Sequence, residues 1–98
     1  MTETIAIIGA GLIGRAWSAL FARAGYEVQV WDADAGVLGR YRDDMTTLCG
    51  TMLAEGLLKD RDGTLARIHT CPTLEEATAG VVFVQENGPE RIEVKKEL

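Results

Sequence analysis

Ile5-Ala6-Ile7-Ile8 followed by Gly9-Ala10-Gly11-Leu12-Ile13-Gly14, then Glu27-Val28-Gln29-Val30-Trp31-Asp32, is the stretch on which the reading of the fold turns. Its first four residues are wholly apolar. A strand of that kind needs no wet face and fits a parallel sheet covered on both sides. After Gly11, apolar residues fall at Leu12, Ile13, Ala16, Trp17, Leu20, Phe21 and Ala24, the spacing of one helix face. Arg15, Ser18, Ala19 and Arg23 take the opposite face in this reading, and Gly25 is placed to end the helix in a left-handed conformation. Val28 and Val30 alternate with Glu27 and Gln29 in a second strand that stops at Asp32. The order strand, glycine turn, helix, strand, acid is a βαβ unit.

Each glycine of the turn has its own task. Gly9 allows a sharp exit from the strand, Gly11 leaves room for a pyrophosphate against the backbone, and Gly14 lets helix and strand pack closely. The free N–H groups around Leu12 and Ile13 then face the phosphates at the positive end of the helix dipole. Asp32 lies eighteen residues beyond Gly14. A carboxylate there accepts both ribose hydroxyls of an adenosine and repels a 2′-phosphate, which favours NAD over NADP. The glycine pattern alone is a weak signal; the strand before it, the helix through it and the acid after it supply the confirming context. The competing reading is a glycine-rich turn with no ligand.

Outward from this unit, Asp34 is placed to cap a long helix running to about Glu55, with Leu38, Tyr41, Met45, Leu48, Met52 and Leu53 as its apolar positions. Gly56 ends it, and Lys59 to Gly63 reads as a charged surface loop. A short strand is expected over Arg67 to Thr70, closed by Pro72. Thr73 and Glu76 fit a capping box for a short helix that ends by Gly80. Val81-Val82-Phe83-Val84 is the second wholly apolar run and the expected fourth strand, and Gln85 to Pro89 is its carboxyl-end loop. Pro89 suits the first turn of a last helix carrying Glu90, Ile92, Val94, Lys95 and Leu98. The expected fold is α/β, a Rossmann-type doubly wound parallel sheet, incomplete, with about four strands in the order 3-2-1-4.

The 98 residues carry a net charge of −5, which argues against nucleic acid and anionic membrane as partners. No apolar run approaches the roughly 20 residues of a membrane span, and the start lacks the basic segment of a signal peptide. A cytoplasmic location is the expectation. Cys49 and Cys71 share no metal-ligand spacing, and His69 has no second ligand near it, so no metal site is expected.

Taken together, Ile7 to Trp17 with its Gly14-Arg15-Ala16-Trp17 step, Trp31-Asp32, Leu74-Glu75-Glu76-Ala77 and Glu86 to Lys96 resemble the N-terminal NAD-binding domain of the 3-hydroxyacyl-CoA dehydrogenase family. The Gly-Arg-x-Trp step and the long second helix lean towards its λ-crystallin or L-gulonate 3-dehydrogenase branch. The resemblance covers nearly the whole chain. It implies that Gly9, Gly11, Leu12, Ile13, Gly14 and Asp32 bind NAD, and that Glu90 and Lys95 contact the same cofactor from beyond the fourth strand. It also implies hydride transfer between NAD and a 3-hydroxyacyl-CoA or an L-gulonate-type 3-hydroxy acid, within fatty acid or related metabolism. The family's catalytic histidine and its partners match nothing in residues 1–98, which therefore read as the N-terminal part of the cofactor domain, without the catalytic half or the C-terminal helical domain. No catalytic residue is assigned, and the chain alone is expected to be inactive. A stand-alone dinucleotide-binding or sensor module, and a crystallin-like structural protein with a vestigial site, are the alternatives. An exposed, apolar fourth strand predicts a homo-oligomer formed through that edge or through exchange of the last helix.

Overall fold

The computed structural model describes residues 3–87 and the backbone path of residues 92–96. Strand β1 (Thr4–Ile8) leads through the glycine turn into helix α1 (Leu12–Arg23) and strand β2 (Glu27–Trp31). Helix α2 (Ala35–Ala54), helix α3 (Arg61–Ala66) and strand β3 (Ile68–Thr70) come next. Helix α4 (Leu74–Thr78) and strands β4 (Phe83–Asn87) and β5 (Ile92–Lys96) complete the described chain. The sheet runs β3-β2-β1-β4-β5. Its first four strands are parallel, in the order the sequence implies, while β5 pairs antiparallel with β4.

The two sheet faces are unequal. Ile5, Ile7, Val28, Val30 and Ile68 share one core with Ala19 and Ala22 of α1 and Tyr41, Met45 and Cys49 of α2. A smaller cluster of Ala6, Val81 and Val84 fills the other face beneath α4. N-caps begin helices α2 and α4 where the side chains predict them. Asp34 accepts from the N–H groups of Gly36 and Val37, and Thr73 accepts from that of Glu76 at 3.1 Å. Gly25, at φ 104°, turns the chain from α1 into β2.

Four expectations need correction. The buried face of α1 is Gly14, Ser18, Ala19 and Ala22, whereas Leu12 is 77% exposed and Leu20 40%. The helix lies so close to the sheet at Gly14 that only small side chains fit between them, and Trp17 and Phe21 pack along its flank. Phe21 meets Phe83 of β4 at 5.9 Å between ring centroids. Second, the charged stretch after Lys59 is not all loop, because Asp60 caps α3 by accepting the Gly63 N–H at 2.9 Å.

Third, β4 begins two residues and ends three residues further towards the C-terminus than expected. Pairing with β1 runs from Ile5↔Phe83 to Ile8↔Glu86, so Gln85 and Glu86 are strand residues, with Gln85 buried. Fourth, Ile92 to Lys96 form a strand and not the expected last helix, in register from Phe83↔Lys96 to Asn87↔Ile92. Ile92-Glu93-Val94-Lys95 alternates apolar and polar residues, a period that suits a strand. β4 is consequently paired on both sides. Among the described residues, β4 is therefore not the open edge expected, and 92–96 do not form the expected exchangeable helix.

Candidate functional site

The glycine turn leaves the sheet at the carboxyl ends of β1 and β4, where the strand order reverses, the place at which doubly wound sheets hold ligands. Gly9 has φ 108°, and a Cβ added there would meet the Asn87 carbonyl oxygen at 2.6 Å. A Cβ at Gly14 would overlap the Gly9 carbonyl oxygen itself. A Cβ at Gly11 would meet nothing within 4 Å. The three glycines therefore differ physically. Gly9 and Gly14 are demanded by the fold, and Gly11 opens onto empty space.

That space is a cavity of about 310 Å³ lined by Gly9, Gly11, Leu12, Ile13, Gly14, Asp32 and Asn87. A second cavity of similar size adjoins it, sharing Gly9, Asp32 and Asn87 and adding Trp31, Ala33 and Glu86. One runs over the start of α1, and the other runs between the ends of β2 and β4. Six of the eight residues singled out from sequence thus come together on one surface. Lys95 lies in β5, with its backbone opposite Val84, and Glu90 falls outside the described residues.

The turn is tied down from several sides. The Gly9 N–H donates to the Trp31 carbonyl at 2.8 Å, extending the β1–β2 ladder by one step. The Ala10 N–H donates to Asp32 Oδ2 at 2.7 Å, and the Asp34 N–H donates to Asp32 Oδ1 at 2.7 Å. Beneath α1, the buried Ser18 hydroxyl donates to the Gly14 carbonyl at 2.8 Å. The Tyr41 ring of α2 is fully buried beside Ser18, and burial pushes its phenol well above the ordinary value. Arg15 of α1 meets Asp44 of α2 at 3.4 Å, joining the two helices near the same point.

Sequence reasoning missed Asn87. Its side chain lies against both Gly9 and Gly14, and its Nδ2 donates to the Ile8 carbonyl at 3.4 Å. The signal available was positional: Asn87 is a polar residue at the carboxyl end of the strand beside β1, next to the turn. His69 sits on the far side of the sheet, paired through Nε2 with Glu27 at 2.9 Å, and both side chains are largely exposed. Among the described residues, no group of three or more His, Cys, Asp or Glu side chains is arranged to hold a metal ion. No helix among them is long and apolar enough to cross a membrane.

The donor set fits a dinucleotide: free helix N–H groups at Leu12 and Ile13, backbone bare of Cβ at Gly11, and a carboxylate across the cavity. The 3-hydroxyacyl-CoA dehydrogenase, NAD binding domain, matches residues 4–98. λ-Crystallin from Oryctolagus cuniculus is 35% identical over 98 residues, which cover 96% of this chain and 30% of that protein. L-carnitine dehydrogenase from Streptomyces coelicolor is 38% identical over 98 residues, covering 96% of this chain and 29% of that protein. The solved 3-hydroxybutyryl-CoA dehydrogenase from Escherichia coli superposes with a TM-score of 0.76 at 26% identity, over 93% of this chain and 20% of that one. The chain spans less than a third of the length of these relatives. With a family match across nearly all its length and a fold and turn to suit, it belongs to the NAD-binding domain family of the 3-hydroxyacyl-CoA dehydrogenases.

Proposed function

We propose that this chain is the cofactor-binding part of a cytoplasmic NAD-dependent dehydrogenase acting on a 3-hydroxy acid or its CoA thioester. The observation that carries the reading is the Asp32 carboxylate, held on the wall of the cavity that also exposes Gly11, Leu12 and Ile13. When bound, NAD supplies the hydride acceptor. The chain's own residues bind and orient it. N–H groups of the first α1 turn take the pyrophosphate, Gly11 permits its approach, and Asp32 receives the adenosine ribose. The same carboxylate opposes a 2′-phosphate, so NADP is disfavoured. Glu90 and Lys95 belong to the proposal as further cofactor contacts. L-carnitine and 3-hydroxybutyryl-CoA, named in the relatives, both carry a hydroxyl on carbon 3, and this shared group defines the substrate class.

No residue of this chain is assigned as general base. His69, the one histidine in the sequence, is paired with Glu27 away from both cavities. A positioned base typically contributes about 10²–10⁴-fold in rate, so the 98 residues alone should bind cofactor and not turn over. The test joins calorimetry with NADH and NADPH to an absorbance assay with NAD and 3-hydroxybutyryl-CoA, L-carnitine or L-gulonate. NADH binding with at least roughly tenfold preference over NADPH, and no turnover, is expected. Equal affinities would contradict the role given to Asp32, and protein-dependent turnover would contradict the assignment as a platform.

A further inference from the structure

We infer that Asp32 has a second task, distinct from meeting the ribose: it is a positioning residue whose carboxylate holds the pyrophosphate-binding turn in shape through the Ala10 N–H. The inference rests on the cofactor reading above for its functional meaning, but its geometry stands alone. Ala10 lies between two glycines and is 1% exposed. Glycines on both sides leave this segment with wide backbone freedom, so something must select one conformation. The backbone ladder between β1 and β2 ends at the bond from the Gly9 N–H to the Trp31 carbonyl, because Gly9 then swings the chain out of the sheet. The next donor, the Ala10 N–H, would be a buried orphan. Asp32 Oδ2 reaches it at 2.7 Å and acts in place of the missing strand carbonyl. The other oxygen accepts the Asp34 N–H at 2.7 Å, so the chain itself fixes the carboxylate at both ends. A carboxylate has about four lone-pair sites, so two backbone bonds leave acceptor capacity for ribose hydroxyls.

The two tasks separate by changing the ligand. 2′,3′-Dideoxyadenosine diphosphate keeps the pyrophosphate and lacks the hydroxyls that Asp32 would bind; ADP has both. Asp32→Asn and Asp32→Ala are both neutral, which removes the effect of charge; Asn keeps one acceptor, Oδ1, which serves the Ala10 N–H only when its Nδ2 is turned to the Asp34 side, and Ala keeps none. The inference predicts that Asp32→Asn binds the dideoxy ligand roughly tenfold more tightly than Asp32→Ala, as expected for restoring a partner to a buried N–H. It also predicts that the Ala10 amide exchanges with solvent at least roughly tenfold faster in Asp32→Ala than in the parent, with Asp32→Asn in between and the β1 interior unchanged. If Asp32→Ala does not fold, Asp32→Ser, too short to reach Ala10, takes its place in both measurements. Unchanged Ala10 exchange in Asp32→Ala would overturn the inference. Failure of the parent to bind ADP would overturn the cofactor reading instead, and the exchange at Ala10 would still decide this one.

Discussion

The ends of β1 and β4 face each other across the ligand edge and are built on opposite principles. At the end of β1 the backbone itself is the functional surface: Gly11 leaves it open, Gly9 and Gly14 let it pack closely, and side chains from elsewhere hold it. At the end of β4 the polar residues Glu86 and Asn87 line that edge, and the Asn87 backbone carbonyl and Cβ occupy the space that a Cβ on Gly9 would need. One end needs emptiness at a few positions, and the other needs a polar side chain where a strand core would take an apolar one. A surface that must approach phosphate oxygens closely is made by leaving atoms out and by bracing what remains.

The sharpest break of this comparison lies within the turn itself. Gly14→Ala places a Cβ on the Gly9 carbonyl oxygen, a backbone atom that cannot move without displacing α1 from the sheet. A loss of about 3 kcal/mol or more in urea unfolding, together with loss of NADH binding, is expected from overpacking at such a contact. Unaltered stability would mean that α1 does not sit as close to β1 as described. Gly11→Val should behave differently. Its side chain enters open space, so stability should hold, while NADH affinity falls by at least roughly 100-fold, about 2.7 kcal/mol. Retained binding in a fluorescence titration would show that the pyrophosphate does not approach Gly11.

Legibility in the sequence divides along the same line. β1, the turn, β2, Asp32 and the Asp34 cap are legible because each rests on a local rule: an apolar run, a required glycine, or a side chain that accepts a nearby N–H. The face of α1 is not. Periodicity favours Leu12, Trp17 and Leu20 as the core side, but the close approach at Gly14 selects Ser18, Ala19 and Ala22, and only the tertiary contact reveals that choice. The position of β4 is hidden for a related reason. Its apolar run begins at Val81, yet pairing with β1 draws polar Gln85 into the core. α3 is too short for periodicity to register. Near the end of the chain two local rules conflict. Pro89 suits the start of a helix, while the alternation from Ile92 to Lys95 suits a strand, and the edge offered by β4 decides for the strand.

Two smaller effects sharpen the contrast between the braced turn and the open margin of the sheet. Beneath the turn, burial raises the Tyr41 phenol above its ordinary value, so the folded state keeps a proton that the unfolded chain releases. Its contribution is complete below about pH 10 and is lost as pH rises through the folded value. The parent should therefore lose stability above pH 10 faster than Tyr41→Phe, by up to about 1.4 kcal/mol per pH unit. Parallel alkaline unfolding curves for the two proteins would place the phenol in contact with water. At the β2–β3 margin, His69→Ala removes only an exposed pair with Glu27. A stability change below about 0.5 kcal/mol and unchanged NADH affinity are expected, and a loss of binding would draw that margin into the site.

The most direct test of where the cofactor sits is a backbone amide NMR titration of the chain with NADH. The account predicts that the largest shift changes fall on Ala10, Gly11, Leu12 and Ile13, with a second group at Asp32, Ala33 and Asn87. Thr70 and Cys71, which line a separate groove beside Ala35 and Leu38, should barely move. Changes centred on that groove, with the glycine turn undisturbed at saturating NADH, would contradict the account.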